Sequence, residues 1–266
     1  MNYSLELKNV VDFCNTQHLF LGFGNPNGRV LLIGKEQAFD HIHAPGTEEF
    51  LNEILENRQR ENKTNIAAWK ENIENNFIPE WENMPIGLTN PLYAWGSQLN
   101  VANKLKNKIG NGGTSNTYLK YQKLHQYLNN QKTKSDRINF QKDFFLTELN
   151  EIATKYSYGG KELKKIRNES IEKRKDLFRM DFFKCFPITI IAAGHYPRDY
   201  NFNIEHIFDV KFSGETTVVG RDYYNVHYNS DSNRIVIHTR QLSMAVTDEL
   251  IEAIAEKCSP FLNRIG

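Results

Sequence analysis

Two residues far apart in the chain have the chemistry to divide a hydrolysis between them. Glu36 stands in the run Gly34-Lys35-Glu36-Gln37-Ala38, and His238 opens the run His238-Thr239-Arg240-Gln241-Leu242-Ser243. A carboxylate orients water or stabilises developing positive charge, while an imidazole hydrogen-bonds a leaving group that is becoming negative. Taken singly, each has a plainer use: the glutamate as partner of a helix N-terminus, the histidine as a satisfied core residue. Their shared placement weakens that plainer reading, because both fall at the end of a run that reads as a buried strand.

Four such runs are present, each apolar, β-branched or aromatic and each bounded by turn or polar residues: Arg29–Gly34, Asp143–Glu148, Pro187–Gly194 and Arg234–His238. Continuous rather than alternating apolarity marks strands covered on both faces, as in a parallel sheet between helices. The intervening chain is helical in pattern over Thr47–Gln59, Thr64–Asn75, Pro91–Lys108, Ser115–Leu128, Glu169–Phe183 and Met244–Glu256, the last with Ser243 as N-cap. The expected fold is α/β, three layers with a central, mostly parallel four-stranded sheet. More than a hundred residues separate the first two strands, so one domain, residues 1–266, with a helical insertion at about 64–140 is expected. Open α/β sheets bind ligands at the carboxyl ends of their strands, where Glu36 and His238 would converge across about 200 residues of sequence.

Composition narrows the class. With 266 residues, 39% apolar and 24% charged, the chain is neither disordered nor collagenous, and no apolar run reaches the length of a membrane span. Cys14, Cys185 and Cys258 are widely spaced and odd in number, which excludes a disulfide framework or a four-thiolate site and points to a reducing, cytoplasmic setting. The opening Met-Asn-Tyr-Ser-Leu-Glu lacks the order of a signal peptide. Net charge is +1, but its distribution is uneven: Glu36–Glu82 holds 11 acidic and 4 basic residues, Val101–Arg137 holds 8 basic and 1 acidic. A neutral chain can therefore present one positive face to phosphates, with Lys104, Lys106, Lys108, Lys120 and Lys123 as candidates, although a solvated helix surface is the favoured reading of such runs standing alone. His41-Ile-His43 is half a metal site without further ligands at convincing spacing, and Gly110, Gly112 and Gly113 form no phosphate loop, so no metal and no cofactor are expected.

The order strand, Gly-x-acid, long helical segment, two apolar strands, then strand-His-x-x-x-Leu-Ser resembles the uracil-DNA glycosylase superfamily. Gly34, Glu36, His238, Leu242 and Ser243 carry the likeness, which extends from about Gly22 to the C-terminus as an order of elements. The resemblance implies a uracil-DNA glycosylase-like fold and DNA as partner, with no obligate protein partner. It implies that the target nucleotide is turned out of the duplex before its glycosidic bond is cut. Glu36 would then position water and stabilise the oxocarbenium-like sugar, and His238 would donate to the departing pyrimidine. Leu242 would wedge into the stack. Lys35, Arg240, Gln241 and Ser243, with Lys120, would contact DNA. Phe50 would be the aromatic on which the base stacks, core packing being its ordinary alternative.

Departures from the family pattern bear on the base. Ala38 stands where the family has a tyrosine that packs against carbon 5 of uracil, and a small side chain leaves room for a substituent. Thr147 and Glu148 replace the asparagine that reads uracil's edge; a carboxylate there accepts from cytosine's amine and penalises uracil's carbonyl. With Gln37, these define a base pocket for a cytosine carrying a bulky group at carbon 5, such as the glucosylated hydroxymethylcytosine of phage DNA, and excision would leave an abasic site as antiviral defence. The alternatives are plain uracil excision in repair and, since the motif prolines are lost at Gln37, Thr239 and Gln241, a catalytically silent DNA-binding module. A nucleoside hydrolase using the same acid and histidine also remains.

Overall fold

The computed structural model describes residues 1–81, 90–93, 116–131, 138–154, 160–243 and 245–262. Within them lies a seven-stranded mixed sheet: β1 (Phe23–Gly24), β2 (Val30–Gly34), β3 (Phe144–Glu148), β4 (Ile188–Ala192), β5 (Lys211–Val219), β6 (Asp222–Tyr228) and β7 (Ile235–Thr239), in spatial order β1-β3-β2-β4-β7-β6-β5. The four expected strands are β2, β3, β4 and β7. They lie side by side at the centre and run parallel, with Gly34 opposite Glu148 and Ile191 opposite His238. The sheet is nevertheless larger than the four strands expected. β5 and β6 form an antiparallel hairpin on β7, and β1 pairs antiparallel with β3. β5 is mostly exposed and both hairpin strands alternate, so neither offers the unbroken apolar run of a strand covered on both faces. Gly220, at φ 61°, opens the two-residue turn between them.

Alternation along the central strands separates two cores. Leu31, Ile33, Phe145, Ile191 and Val236 face α1 (Leu5–Gln17), the later turns of α2 (Glu48–Glu74), α4 (Gly160–Arg179) and α5 (Asp181–Lys184). Val30, Leu32, Phe144, Leu146, Ile188, Ile190, Ile235 and Ile237 face α3 (Asn116–Leu128) and α8 (Asp248–Cys258), which pack on each other. Helices thus cover both faces. Two short helices, α6 (Tyr196–Asp199) and α7 (Ile204–Phe208), follow β4.

Several boundaries differ from the sequence expectation. The segments expected as two helices, Thr47–Gln59 and Thr64–Asn75, are one continuous α2 capped by the Thr47 hydroxyl, so the chain does not break at residue 64. α8 begins at Asp248, four residues past the expected start at Met244, and is capped by Thr247 rather than Ser243. α1, capped by Ser4, was not expected; its apolar face is confined to Leu7, Val10, Val11 and Cys14. Residues 94–108 of the helix expected from Pro91, and with them Lys104, Lys106 and Lys108, lie outside the described residues. Among those described, no helix is long and apolar enough to cross a membrane.

Candidate active site

The chain passes from β2 to β3 on one side and returns to β4 on the other, so the exits of β2 and β4 flank the point where connections diverge, the usual crevice of an open α/β sheet. The loop leaving β2 is tied to the segment leaving β3. The Leu149, Asn150 and Thr154 amides donate to the Gly34, Lys35 and Gln37 carbonyls at 2.8, 2.9 and 3.1 Å. These ties bring Glu36 into the electrostatic field of Glu148 at the end of β3 and of Tyr196 and Tyr200 beyond β4.

Glu36 and Glu148 form a carboxyl pair. Burial and the neighbouring Glu36 charge raise the Glu148 pKa from 4.5 to about 8, Arg174 opposing them, so Glu148 is predominantly neutral at pH 7. Its Oε2 is buried and has no hydrogen-bond partner among the described residues. Gly34 makes the close approach possible: a Cβ at that position would lie 2.1 Å from Glu148 Oε2. The sequence reading of Glu148 as an acceptor-only carboxylate is corrected here, because a neutral carboxyl both donates and accepts.

Beside this pair lies a cavity of about 140 Å³ lined by Phe20, Phe23, Gln37, Asn65, Asn90 and Tyr93 among others. A recess of about 20 Å³, walled by Glu148, Asn150 and Arg58, shares Phe20, Gln37 and Glu61 with it. An apolar cavity of about 150 Å³ takes a benzene ring, so one aromatic ring is the right scale of occupant. Asn150 is fully buried, its Oδ1 accepts from the Ile152 amide at 3.0 Å, and its Nδ2 has no partner among the described residues.

A buried ionic network supports this wall from behind. Arg174 of α4 donates to Glu151 at 2.7 Å, to the Phe20 carbonyl at 2.6 Å and to Thr147 Oγ1 at 2.7 Å. Glu151 in turn accepts from the Phe20 amide, Arg58 and Asn62. Charges buried this deeply persist only when paired and hydrogen-bonded, and here the pairing fixes Phe20 at the cavity.

The residues expected at the site divide. Glu36, Gln37 and Glu148 come together. Thr147 points to the opposite face from Glu148, its hydroxyl taken by Arg174, so it does not line the pocket as expected. Phe50, 1% exposed, packs with Ile54, Ile152 and Leu163 in a core under α2, and the aromatic walls are Phe20, Phe23 and Tyr93 instead. Ala38 is exposed. His238 makes its contacts at the exit of β4: its Nε2 lies 2.7 Å from the Gly194 carbonyl and its Nδ1 lies 3.4 Å from Asn225 Nδ2. A carbonyl only accepts, so Nε2 carries the proton, and burial lowers the pKa, which favours the neutral ring.

The expected DNA contacts are engaged within the protein. Leu242 is fully buried in the α3–α8 core and does not protrude as a wedge, since the chain turns inward there to seat α8. Arg240 donates to the buried Asp222 carboxylate at 2.6 Å. Lys120 pairs with Asp248 at 2.9 Å, and Lys123 pairs with the same carboxylate. Lys35 is 7% exposed, with its ammonium 4.2 Å from the Tyr196 ring centroid. Gln241 and Ser243 are half-buried, the Ser243 amide donating to the Gln241 carbonyl at 3.0 Å. Sequence reasoning missed Tyr196, Asn150 and Phe20. Tyr196 follows the Gly194-His195 pair at the end of a recognised strand, which was the one signal available for it. Among the described residues no group of three or more His, Cys, Asp or Glu is placed to hold a metal. No protein-family model, curated protein or solved structure matches the chain.

Proposed function

We propose that the chain is a DNA glycosylase that hydrolyses the N-glycosidic bond of a flipped-out pyrimidine, a cytosine with a bulky group at carbon 5 such as glucosylated hydroxymethylcytosine, and leaves an abasic site. The observation that carries this reading is the Glu36–Glu148 carboxyl pair beside a ring-sized cavity at the strand exits. In the proposed reaction the bond from C1′ to the base nitrogen breaks, its electron pair leaves with the base, and water adds to C1′. Glu36 stabilises the cationic sugar and takes the proton from water. Neutral Glu148 donates O–H to N3 of cytosine and accepts from the exocyclic amine. His238, once its N–H exchanges the Gly194 carbonyl for the base, supports the negative charge on the pyrimidine. Exposed Ala38 leaves the carbon 5 side unobstructed.

Ionisation removes the O–H that meets cytosine N3 and leaves a carboxylate facing that lone pair, so release of cytosine bases should fall as pH rises through about 8. The test is abasic-site formation on duplexes containing cytosine, hydroxymethylcytosine, glucosylated hydroxymethylcytosine or uracil. Release from the glucosylated duplex supports the reading, and release of uracil alone ends it.

The internal ion pairs of Arg240 and Lys120 favour a second reading, in which the same pair cleaves a free nucleoside. Cleavage of the modified deoxynucleoside, with little dependence on salt, would select it over a polymer that engages many phosphates.

A further inference from the structure

One wall of the cavity of about 140 Å³ is a single face of α2. Glu61, Thr64, Asn65 and Ala68 recur at intervals of three and four residues, so they form one stripe of the helix, and that stripe lines the cavity. Phe20, Phe23 and Tyr93 supply its aromatic faces. The two asparagine amides are already committed within the protein. Asn65 accepts from the Leu21 amide at 3.1 Å and donates to the Gly22 carbonyl at 2.9 Å, and Asn90 exchanges hydrogen bonds with Asn72 at 2.7 and 2.9 Å. Glu61 and Thr64 are not held in this way. Glu61 is half-buried, with Arg60 approaching its carboxylate at 3.7 Å, and Thr64 is exposed. Among the described residues that line the cavity there is no lysine or arginine, and Arg58 of the adjoining recess is bound to Glu151 at 3.1 Å.

We propose that this cavity is the subsite for the carbon 5 substituent and that it takes an uncharged, hydroxyl-rich ring, a hexose, whose hydroxyls Glu61 and Thr64 bind. Such a lining selects by charge. With no cation in the cavity wall, the Glu61 carboxylate repels a phosphate or a carboxylate, whereas it accepts readily from hydroxyl groups. Aromatic walls with a few placed polar groups suit a saturated ring that is apolar on its faces and polar at its rim, and the volume admits one such ring. The cavity and the recess share Phe20, Gln37 and Glu61. With the pairing edge of cytosine at Glu148, carbon 5 lies on the far side of carbon 4 from N3, so a group attached there leads out of the recess along those shared walls. The assignment of the ring to carbon 5 rests on the proposed glycosylase reading, but the match between lining and ligand does not. Ala68 contributes by its size, because a larger side chain on that helical face would fill the space the ring needs.

Ala68→Leu keeps a good helix former on α2 and puts an isobutyl group where a methyl stood. The ratio of kcat/KM for base release from a glucosylated duplex to that from a hydroxymethylated one should fall roughly tenfold or more. Glu61→Gln keeps the shape and removes the charge, so release of 5-carboxycytosine should gain several-fold on release of the glucosylated base. An unchanged ratio in Ala68→Leu, with the variant folded by its melting temperature, overturns the proposal, and an unchanged balance in Glu61→Gln overturns the part given to that carboxylate. In a protein that releases no base from any of these duplexes, the backbone amide NMR spectrum with millimolar methyl glucoside decides. Shifts at Thr64 and Ala68 that Ala68→Leu abolishes uphold the subsite and reject the glycosylase reading, and their absence overturns both.

Discussion

The exits of β2 and β3 and the exit of β7 lie on the same edge of one sheet, but their polar groups are in different conditions. At β2 and β3, Glu36 acts electrostatically on Glu148, Glu148 Oε2 and Asn150 Nδ2 are buried without partners among the described residues, and a recess lined by Glu148 and Asn150 adjoins a larger cavity. At β7, His238 is bound to Gly194, Arg240 to Asp222, and Leu242 is core. A segment whose groups are satisfied is stable but has little left to offer a ligand, whereas unmatched buried groups are costly and are kept where something else meets them. On the proposed reading the acid–base chemistry lies at the first pair of exits, and His238 is the one group of the β7 exit with a part in it.

Substitutions can break or sharpen this contrast. Glu36→Gln should lower base release by roughly 10²–10⁴-fold with the melting temperature nearly unchanged, as expected for loss of a general base. Leu242→Ala should destabilise by about 2–5 kcal/mol in a denaturant titration, the usual range for emptying a buried leucine site. An undisturbed fold with base release abolished would instead restore Leu242 to the DNA interface. Gly34→Ala should cost about 1–3 kcal/mol and displace the Glu148 carboxyl, since the added methyl has nowhere to go.

Stability should also depend on pH. Glu148 has its pKa raised on folding from 4.5 to about 8, so the native state holds this proton more tightly than the unfolded chain. Its contribution is intact below about 4.5 and is lost as pH rises to about 8. Thermal unfolding should therefore show the protein losing stability from pH 5 to pH 9 relative to Glu148→Gln, and parallel curves would place Glu148 in contact with solvent.

The legible part of the fold was the part with a simple physical signature. β2, β3, β4 and β7 are covered on both faces, and doubly covered strands write unbroken apolar runs into the sequence. The hairpin of β5 and β6 has one wet side, and β1 is two residues long, so neither leaves such a run. At the site, Glu36 and Glu148 could be found because they follow recognisable strands. Thr147 and Glu148 are adjacent, and which of the two faced the pocket depended on strand parity relative to α3 and α4, which spacing alone did not fix. Phe50 was misplaced because helical periodicity shows that a side chain is buried without showing what it is buried against. Tyr196 became visible only when β4 was laid beside β2.

The central claim is that the carboxyl pair at β2 and β3 performs glycosidic hydrolysis, and it is tested most directly by following base release from a duplex carrying glucosylated hydroxymethylcytosine with the unsubstituted protein and Glu36→Gln side by side. The account predicts free modified base and an abasic site with the former and a loss of at least about a hundredfold with the latter. Equal release by both proteins would contradict it.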